Sequence, residues 1–126
     1  MSTTFDKKEL TEINAADDLK IAPFRADGIK YGTPTWIWAV VVDGELYVRA
    51  YNGKNGRWYQ SAIQQKAGRI YAAGYTKEVT FEPVTDENLN TKIDEAYKAK
   101  YSNSSYLAPM ISQKTKNATV KISLKD

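Results

Sequence analysis

The sequence predicts an α+β fold built on a small, mostly antiparallel split β-barrel of about six strands with two or three flanking helices, as one domain over residues 1–126. Three observations lead there. Residues 33–51 read as a long β-hairpin around Asp43-Gly44, residues 70–73 and 77–84 as a second strand pair around Gly74, and residues 118–124 as a last strand alternating Val120, Ile122 and Leu124. A hairpin with arms of this length outruns a single sheet partner, and closing a barrel removes the exposed edges that invite aggregation. The chain has the length of one ordinary domain and can bury a real core.

Taken in order, Asp6-Lys-Lys-Glu9 has the spacing of a helix start, and Phe5, Leu10 and Ile13 give that short helix one apolar stripe, ending near Asn14. Asn14-Ala-Ala-Asp17 then suits the cap of a second turn. Residues 19–24 carry Leu19, Ile21, Pro23 and Phe24 in a first strand, and Ala26-Asp-Gly28 turns the chain toward the hairpin. Taking Asp43-Gly44 as the loop pairs Val42 with Glu45, Val41 with Leu46, Val40 with Tyr47, Ala39 with Val48, Trp38 with Arg49, Ile37 with Ala50 and Trp36 with Tyr51. One face is then aliphatic: Ile37, Ala39, Val41, Leu46, Val48 and Ala50. The other presents Trp36, Trp38, Val40, Tyr47, Arg49 and Tyr51, flat rings beside a cation, which suits a planar anionic ligand or a protein partner.

Residues 52–56 read as a loop and residues 57–66 as a helix with Trp58, Ala62 and Ile63 on one side, ended by Gly68. Asp86 caps a later helix whose apolar positions are Leu89, Ile93, Ala96, Tyr97 and Tyr101. A loop follows over residues 102–105, and residues 106–111 fit neither period.

Composition narrows the chemistry. The chain has no Cys and no His, which removes disulfides, thiolate nucleophiles, imidazole acid/base relays and the commonest transition-metal ligands. No metal site is expected. The N-terminal stretch holds no apolar run of signal-peptide length and no segment approaches the length of a membrane span, so a soluble cytoplasmic protein without membrane contact is expected, and without a secretory route the two glycosylation-like patterns at Asn103 and Asn117 are chance matches. The net charge of +3 is too small to argue for nucleic acid. Its distribution says more: between residues 46 and 77 stand Arg49, Lys54, Arg57, Lys66, Arg69 and Lys77 with no acidic residue, a local field that favours an anionic ligand.

The sharpest local signal is Tyr51-Asn-Gly-Lys-Asn-Gly-Arg-Trp-Tyr59, where a strand ends, glycines loosen the backbone and a helix begins among basic residues. Helix N-terminal amides, with Gly53 and Gly56 permitting close approach and Lys54 and Arg57 adding charge, suit a phosphate; the bland reading is a solvated turn. Arg49 either stacks as a surface cation over Trp38 or contacts a ligand phosphate or carboxylate. Trp36 and Trp38 are either a floor under the following helix, half of a dimer contact, or walls for an aromatic ring system. Asp94, Glu95, Lys98, Lys100 and Tyr101 read as ordinary helix-surface pairs.

Several segments resemble the domain-of-unknown-function 2255 proteins, a bacterial family: Arg25-Ala-Asp-Gly28, Trp36-Ile-Trp38, Leu46-Tyr-Val-Arg-Ala-Tyr-Asn-Gly53, Arg57-Trp-Tyr59, Gly68-Arg-Ile70, Glu78-Val-Thr-Phe81 and the run from Ile93 to Tyr101. More distantly, Gly28-Ile-Lys-Tyr-Gly-Thr-Pro34 and Asn52-Gly53 with Trp58-Tyr59 resemble elements of the split-barrel flavin-binding superfamily, which includes pyridoxamine phosphate oxidase-like proteins and deazaflavin-dependent nitroreductases. Two departures stand out: Thr35 takes the place of a basic residue, and the loop between Asn52 and Trp58 is short. The resemblance implies FMN or a deazaflavin lying against the hairpin and the start of the helix at Arg57, with Lys30, Lys54 and Arg57 near its phosphate, in a homodimer that is an oxidoreductase if it turns anything over. The residues so marked are Lys30, Trp36, Trp38, Arg49, Tyr51, Asn52, Gly53, Lys54, Arg57, Trp58 and Tyr59. The alternatives are a cofactor-free interaction or dimerisation module of the same fold and, more weakly, single-stranded nucleic acid stacked on the aromatic face.

Overall fold

A computed structural model describes residues 5–105 and 107–125. Helix α1 (Lys7–Ala16) follows Asp6 and runs two residues past the expected end, stopping where Asp17 adopts a left-handed conformation. Strand β1 (Lys20–Pro23) comes next, then β2 (Thr35–Trp36), β3 (Ala39–Val42) and β4 (Glu45–Arg49). A 3-10 turn over Gly53–Asn55 leads into α2 (Arg57–Gln65), β5 (Ala67–Ala72), β6 (Tyr75–Pro83) and α3 (Glu87–Lys100). Two four-residue helices, α4 (Leu107–Met110) and α5 (Gln113–Lys116), precede β7 (Thr119–Leu124). The ambiguous segment is thus helical from Leu107, while Tyr106 lies outside the described residues.

All seven strands form one antiparallel sheet in the order β2-β1-β5-β6-β7-β4-β3. Its two end strands, β2 and β3, are separated in the chain by Ile37 and Trp38 alone. Two intervening residues span at most roughly 11 Å between strand ends, so the sheet must curl until its edges nearly meet, which makes a split barrel.

The hairpin register from Val42–Glu45 to Ala39–Val48 is as the Asp43-Gly44 turn dictates. Both turn residues have positive φ (51° and 80°), the geometry that matches strand twist in a two-residue loop. Beyond Ala39 the pairing departs from expectation: Trp38, Ile37 and Trp36 do not pair with Arg49, Ala50 and Tyr51. Instead Trp36 pairs with Lys20 and Thr35 with Ile21, and the Ile37 amide donates to Leu19 O at 3.0 Å. One continuous run of chain therefore serves both edges of the barrel. Gly68 is also not a helix stop. Lys66 (φ 61°) ends α2, and Gly68 sits inside β5, where an added Cβ would lie 2.6 Å from Ala22 O and Pro23 Cα.

The barrel interior is filled by Ile21, Leu46, Val48, Ile70, Val79, Val120 and Ile122, closed by Leu10 and Ile13 of α1 and by Tyr59 and Ala62 of α2. The other face of the hairpin is not an open surface. Val40, Val42 and Tyr47 form a second core with Ile93, Tyr97, Tyr101 and Met110, because α3 packs across it. Helix α3 is held there by its cap: Asp86 accepts hydrogen bonds from the Asn88 and Leu89 amides at 2.9 and 3.3 Å.

Candidate functional site

Where the chain enters the hairpin at Ile37–Trp38 and, further on, enters α2 at Gly56–Arg57, a cavity of about 1010 Å3 opens between the two segments. Its walls are Trp36, Trp38 and Trp58, with Tyr51 and Asn52 at the end of β4, Gly56 and Arg57 at the start of α2, and Met110 and Arg49 behind. The structure thus brings Trp36, Trp38, Arg49, Tyr51, Asn52, Arg57 and Trp58 together. The other four residues marked in the sequence stand elsewhere. Lys30 is in an exposed turn set by Asp27, whose carboxylate accepts from the Ile29 and Lys30 amides and is held below its ordinary pKa by them. Gly53 is buried, at φ 70°, against the Lys114 side chain. Lys54 is exposed beside the cavity without lining it, and Tyr59 belongs to the inner core, where burial raises its hydroxyl pKa.

The indoles are fixed from the far side. Trp36 is 53% exposed, yet its Nε1 donates to Asp17 O at 3.2 Å. Trp38 stacks on Tyr101 with ring centroids 3.9 Å apart and planes 4° from parallel, and the Tyr101 hydroxyl donates to Asp17 Oδ1. The left-handed C-cap of α1 therefore orients two of the three indoles, through its carbonyl and its carboxylate. Rings held this way lose little freedom when a flat ligand binds.

Arg49 does not stack on Trp38 as a surface cation. It is fully buried, with its guanidinium 5.4 Å from the Tyr97 ring centroid. All five of its donors are spent: Nε on Thr119 Oγ1, Nη1 on Asp94 Oδ1 and Met110 O, and Nη2 on the carbonyl and side-chain oxygens of Asn90. Asp94 in turn takes Lys116 Nζ at 3.0 Å on its other oxygen. The arrangement rivets β4 to α3, α4 and β7, and a ligand oxygen reaching Arg49 would have to displace one of these partners. Asp94 is accordingly no surface carboxylate; of the helix-surface pairs read from the sequence, Lys98–Glu95 is present at 3.2 Å.

Arg57 differs in every respect. It is exposed at the first position of α2, lines the cavity, and has no carboxylate partner among the described residues. The N-cap is Gly56, which provides no side-chain oxygen to the first-turn amides, and no acidic residue stands in that turn. Those amides have no partners within the helix and carry the positive end of its dipole. Asn55, Thr35, Ile37 and Met110 are cavity residues the sequence reading did not mark for this role, whereas Gly56 stands where it was expected to let a ligand approach the backbone. The Gly56–Arg57 boundary was visible as a helix start, whereas Met110 comes from the segment with no clear period. Among the described residues there is no cluster of three or more carboxylates that could hold a metal ion, and no helix long and apolar enough to cross a membrane.

Fold and cavity together define an α+β split-barrel protein with an aromatic pocket at the mouth of its split. The chain belongs to the DUF2255 family, described as an uncharacterised protein conserved in bacteria, whose model matches residues 9–122. No curated protein sequence matches it. Among solved structures it is similar to a conserved hypothetical protein, Rv2991, from Mycobacterium tuberculosis, with a TM-score of 0.65 and 16% identity over 98% of this chain and 82% of that one. It is also similar to a putative pyridoxamine 5'-phosphate oxidase from Listeria innocua, with a TM-score of 0.62 and 13% identity over 94% and 90% of the two chains. A FAD-binding protein from Mesorhizobium loti aligns over 96% and 89% with 15% identity and a TM-score of 0.48. At these identities the first two likenesses establish the fold.

Proposed function

We propose that this chain binds FMN or a related phosphate-bearing, flavin-like cofactor such as a deazaflavin in the cavity between Trp36–Trp38 and the start of α2. The observation that carries the reading is Arg57, a cation with no carboxylate partner among the described residues, at the N-terminus of a nine-residue helix whose Gly56 N-cap makes no side-chain bond, facing a cavity walled by three indoles. The cavity volume of about 1010 Å3 is at the upper end of the range for small-molecule and cofactor sites. Arg57 and the first-turn amides would hold the phosphate, and Trp36, Trp38 and Trp58 would enclose the ring, with Asn52 at its edge. Lys54 stands near enough to add to the field without lining the site. When bound, such a group supplies hydride chemistry that a chain without His or Cys has no side chains to replace, which fits an oxidoreductase role. The similarity in fold to the Listeria innocua protein, a putative pyridoxamine 5'-phosphate oxidase, is consistent with this reading.

Titrating FMN against tryptophan fluorescence tests it. Saturable quenching is expected. Arg57→Ala should weaken FMN binding by about tenfold or more, since a hydrogen bond to a charged group contributes roughly 1.5–3 kcal/mol. Riboflavin, which lacks the phosphate, should bind the two proteins alike. A flat FMN titration, or equal FMN affinity in Arg57→Ala, overturns the assignment.

The exposure of Trp36 (53%) and Tyr51 (50%) at the rim supports a second reading, in which this rim is the contact of a homodimer. Sedimentation of Trp36→Ala as a monomer, against a dimeric parent, is the outcome it requires; identical sedimentation of the two excludes it.

A further inference from the structure

Away from the aromatic cavity, a second pocket of about 300 Å3 opens between α1 and α3 along the free edge of β3. It is lined by Asn14, Val40, Val41, Ala96, Ala99 and Lys100. Its lining side chains are aliphatic except for the Asn14 amide and the Lys100 amine. Lys100 stands apart from the other partly buried lysines of the described residues. Lys77, Lys116 and Lys121 each face a carboxylate, on Glu9, Asp94 and Glu45. Lys100 has none within ion-pair distance among the described residues, its amine bonding a backbone carbonyl instead. Its Nζ donates to Ala39 O at 2.6 Å, a bond that a neutral amine also makes, and lies 5.2 Å from the Tyr101 ring centroid. The carboxylate whose charge acts on it is Asp17, which is already engaged by the Tyr101 hydroxyl.

We propose that Lys100 is a carbonyl-reactive amine whose pocket admits a small apolar aldehyde or ketone and forms an imine with it. Burial supports this, because it pulls the Lys100 ammonium below its ordinary pKa, the Asp17 charge opposing that shift only in part. The facing groups are otherwise neutral: Asn14 from α1, Ala39 and Val41 from β3, Ala96, Ala99 and Tyr101 from the α3 end. The lone pair of the neutral amine attacks the carbonyl carbon, forming a C–N bond while the carbonyl π pair moves to oxygen. A proton passes from nitrogen to that oxygen, giving a carbinolamine. Water then leaves, so one amine and one aldehyde become one imine and one water, with no change of oxidation state.

The test uses the full chain at neutral pH with propionaldehyde, the imine being trapped by cyanoborohydride and located by peptide mass spectrometry. Lys54 and Lys66, both exposed, serve as internal references. Lys100 is expected to be labelled several-fold faster than either. Ala96→Leu, which fills the pocket and leaves the amine, should bring Lys100 down to the reference rate, with Ala99→Val as a second filling variant if the first melts early. Lys100→Arg should lose the fast adduct while Lys54 and Lys66 label as before. Labelling of Lys100 at or below the reference rate overturns the proposal, as does fast labelling that survives filling of the pocket.

Discussion

At the scale of single residues, the instructive case is Arg49. A lone cation within an apolar strand must be paired or stacked, and sequence reasoning reached that far. What it could not reach is the partner, because Asp94 lies 45 residues away and Asn90 41, on a helix that local patterns show only to be amphipathic. Once α3 docks, the pair is buried, and the physics of burial decides its worth. Removing one member of a buried ion pair leaves an uncompensated charge, which typically costs about 3–5 kcal/mol, far more than loss of an exposed pair. Asp94→Ala strands both Arg49 and Lys116 and should therefore destabilise the fold by an amount in that range, read from urea unfolding with an unchanged m-value. A loss under about 1 kcal/mol would show that the guanidinium is satisfied without it.

At the scale of elements, what was legible is what local chemistry dictates. The Asp43-Gly44 turn carries its register with it, so four pairs follow from two residues. Asp86 announces α3 by capping it, and Arg57 opens α2 where the glycine-rich loop ends. The switch of the chain at Ile37–Trp38 from one barrel edge to the other was not legible, because Thr35 and Trp36 suit a strand equally well beside Lys20 and Ile21 or beside Tyr51. Gly68 was misread for a related reason. A glycine shortly after a helical run looks like a stop, but here it permits two strands to approach, with Phe81 Cε2 also 3.0 Å from where its Cβ would be. Gly68→Ala tests which role is real. Pushing a methyl into backbone atoms of β1 should cost about 1–3 kcal/mol by thermal or urea unfolding, whereas a helix-stop glycine would tolerate the change at Gly68 because Lys66 already holds the left-handed position.

At the scale of the whole molecule, the second core is built on phenols, and that gives the protein a defined alkaline limit. Burial raises the hydroxyl pKa of Tyr47, Tyr97 and Tyr101 there, as it does that of Tyr59 in the inner core; for Tyr101 the hydrogen bond to Asp17 adds to it, and for Tyr97 the nearby Arg49 charge only partly offsets it. A group whose folded value exceeds its unfolded one binds more protons in the folded state over the interval between them. Its contribution is whole below the ordinary tyrosine value of about 10 and is lost as pH rises through the folded values. Lys100 has the opposite sign, since its lowered value lets stability rise with pH just beneath the ordinary lysine value. Four buried phenols against one partly buried amine leave a net loss at high pH. Tyrosinate absorbance and far-ultraviolet circular dichroism, followed together from neutral to strongly alkaline solution, should therefore change in one steep transition above about pH 10. The Tyr97 hydroxyl donates to Trp38 O at 2.8 Å, so Tyr97→Phe loses about 1 kcal/mol at neutral pH and moves that transition upward by removing the most deeply buried ionisation. Gradual phenol ionisation with the circular dichroism intact would mean that α3 does not seal this face, and the rivet of Arg49, Asp94 and Lys116 would then fail along with it.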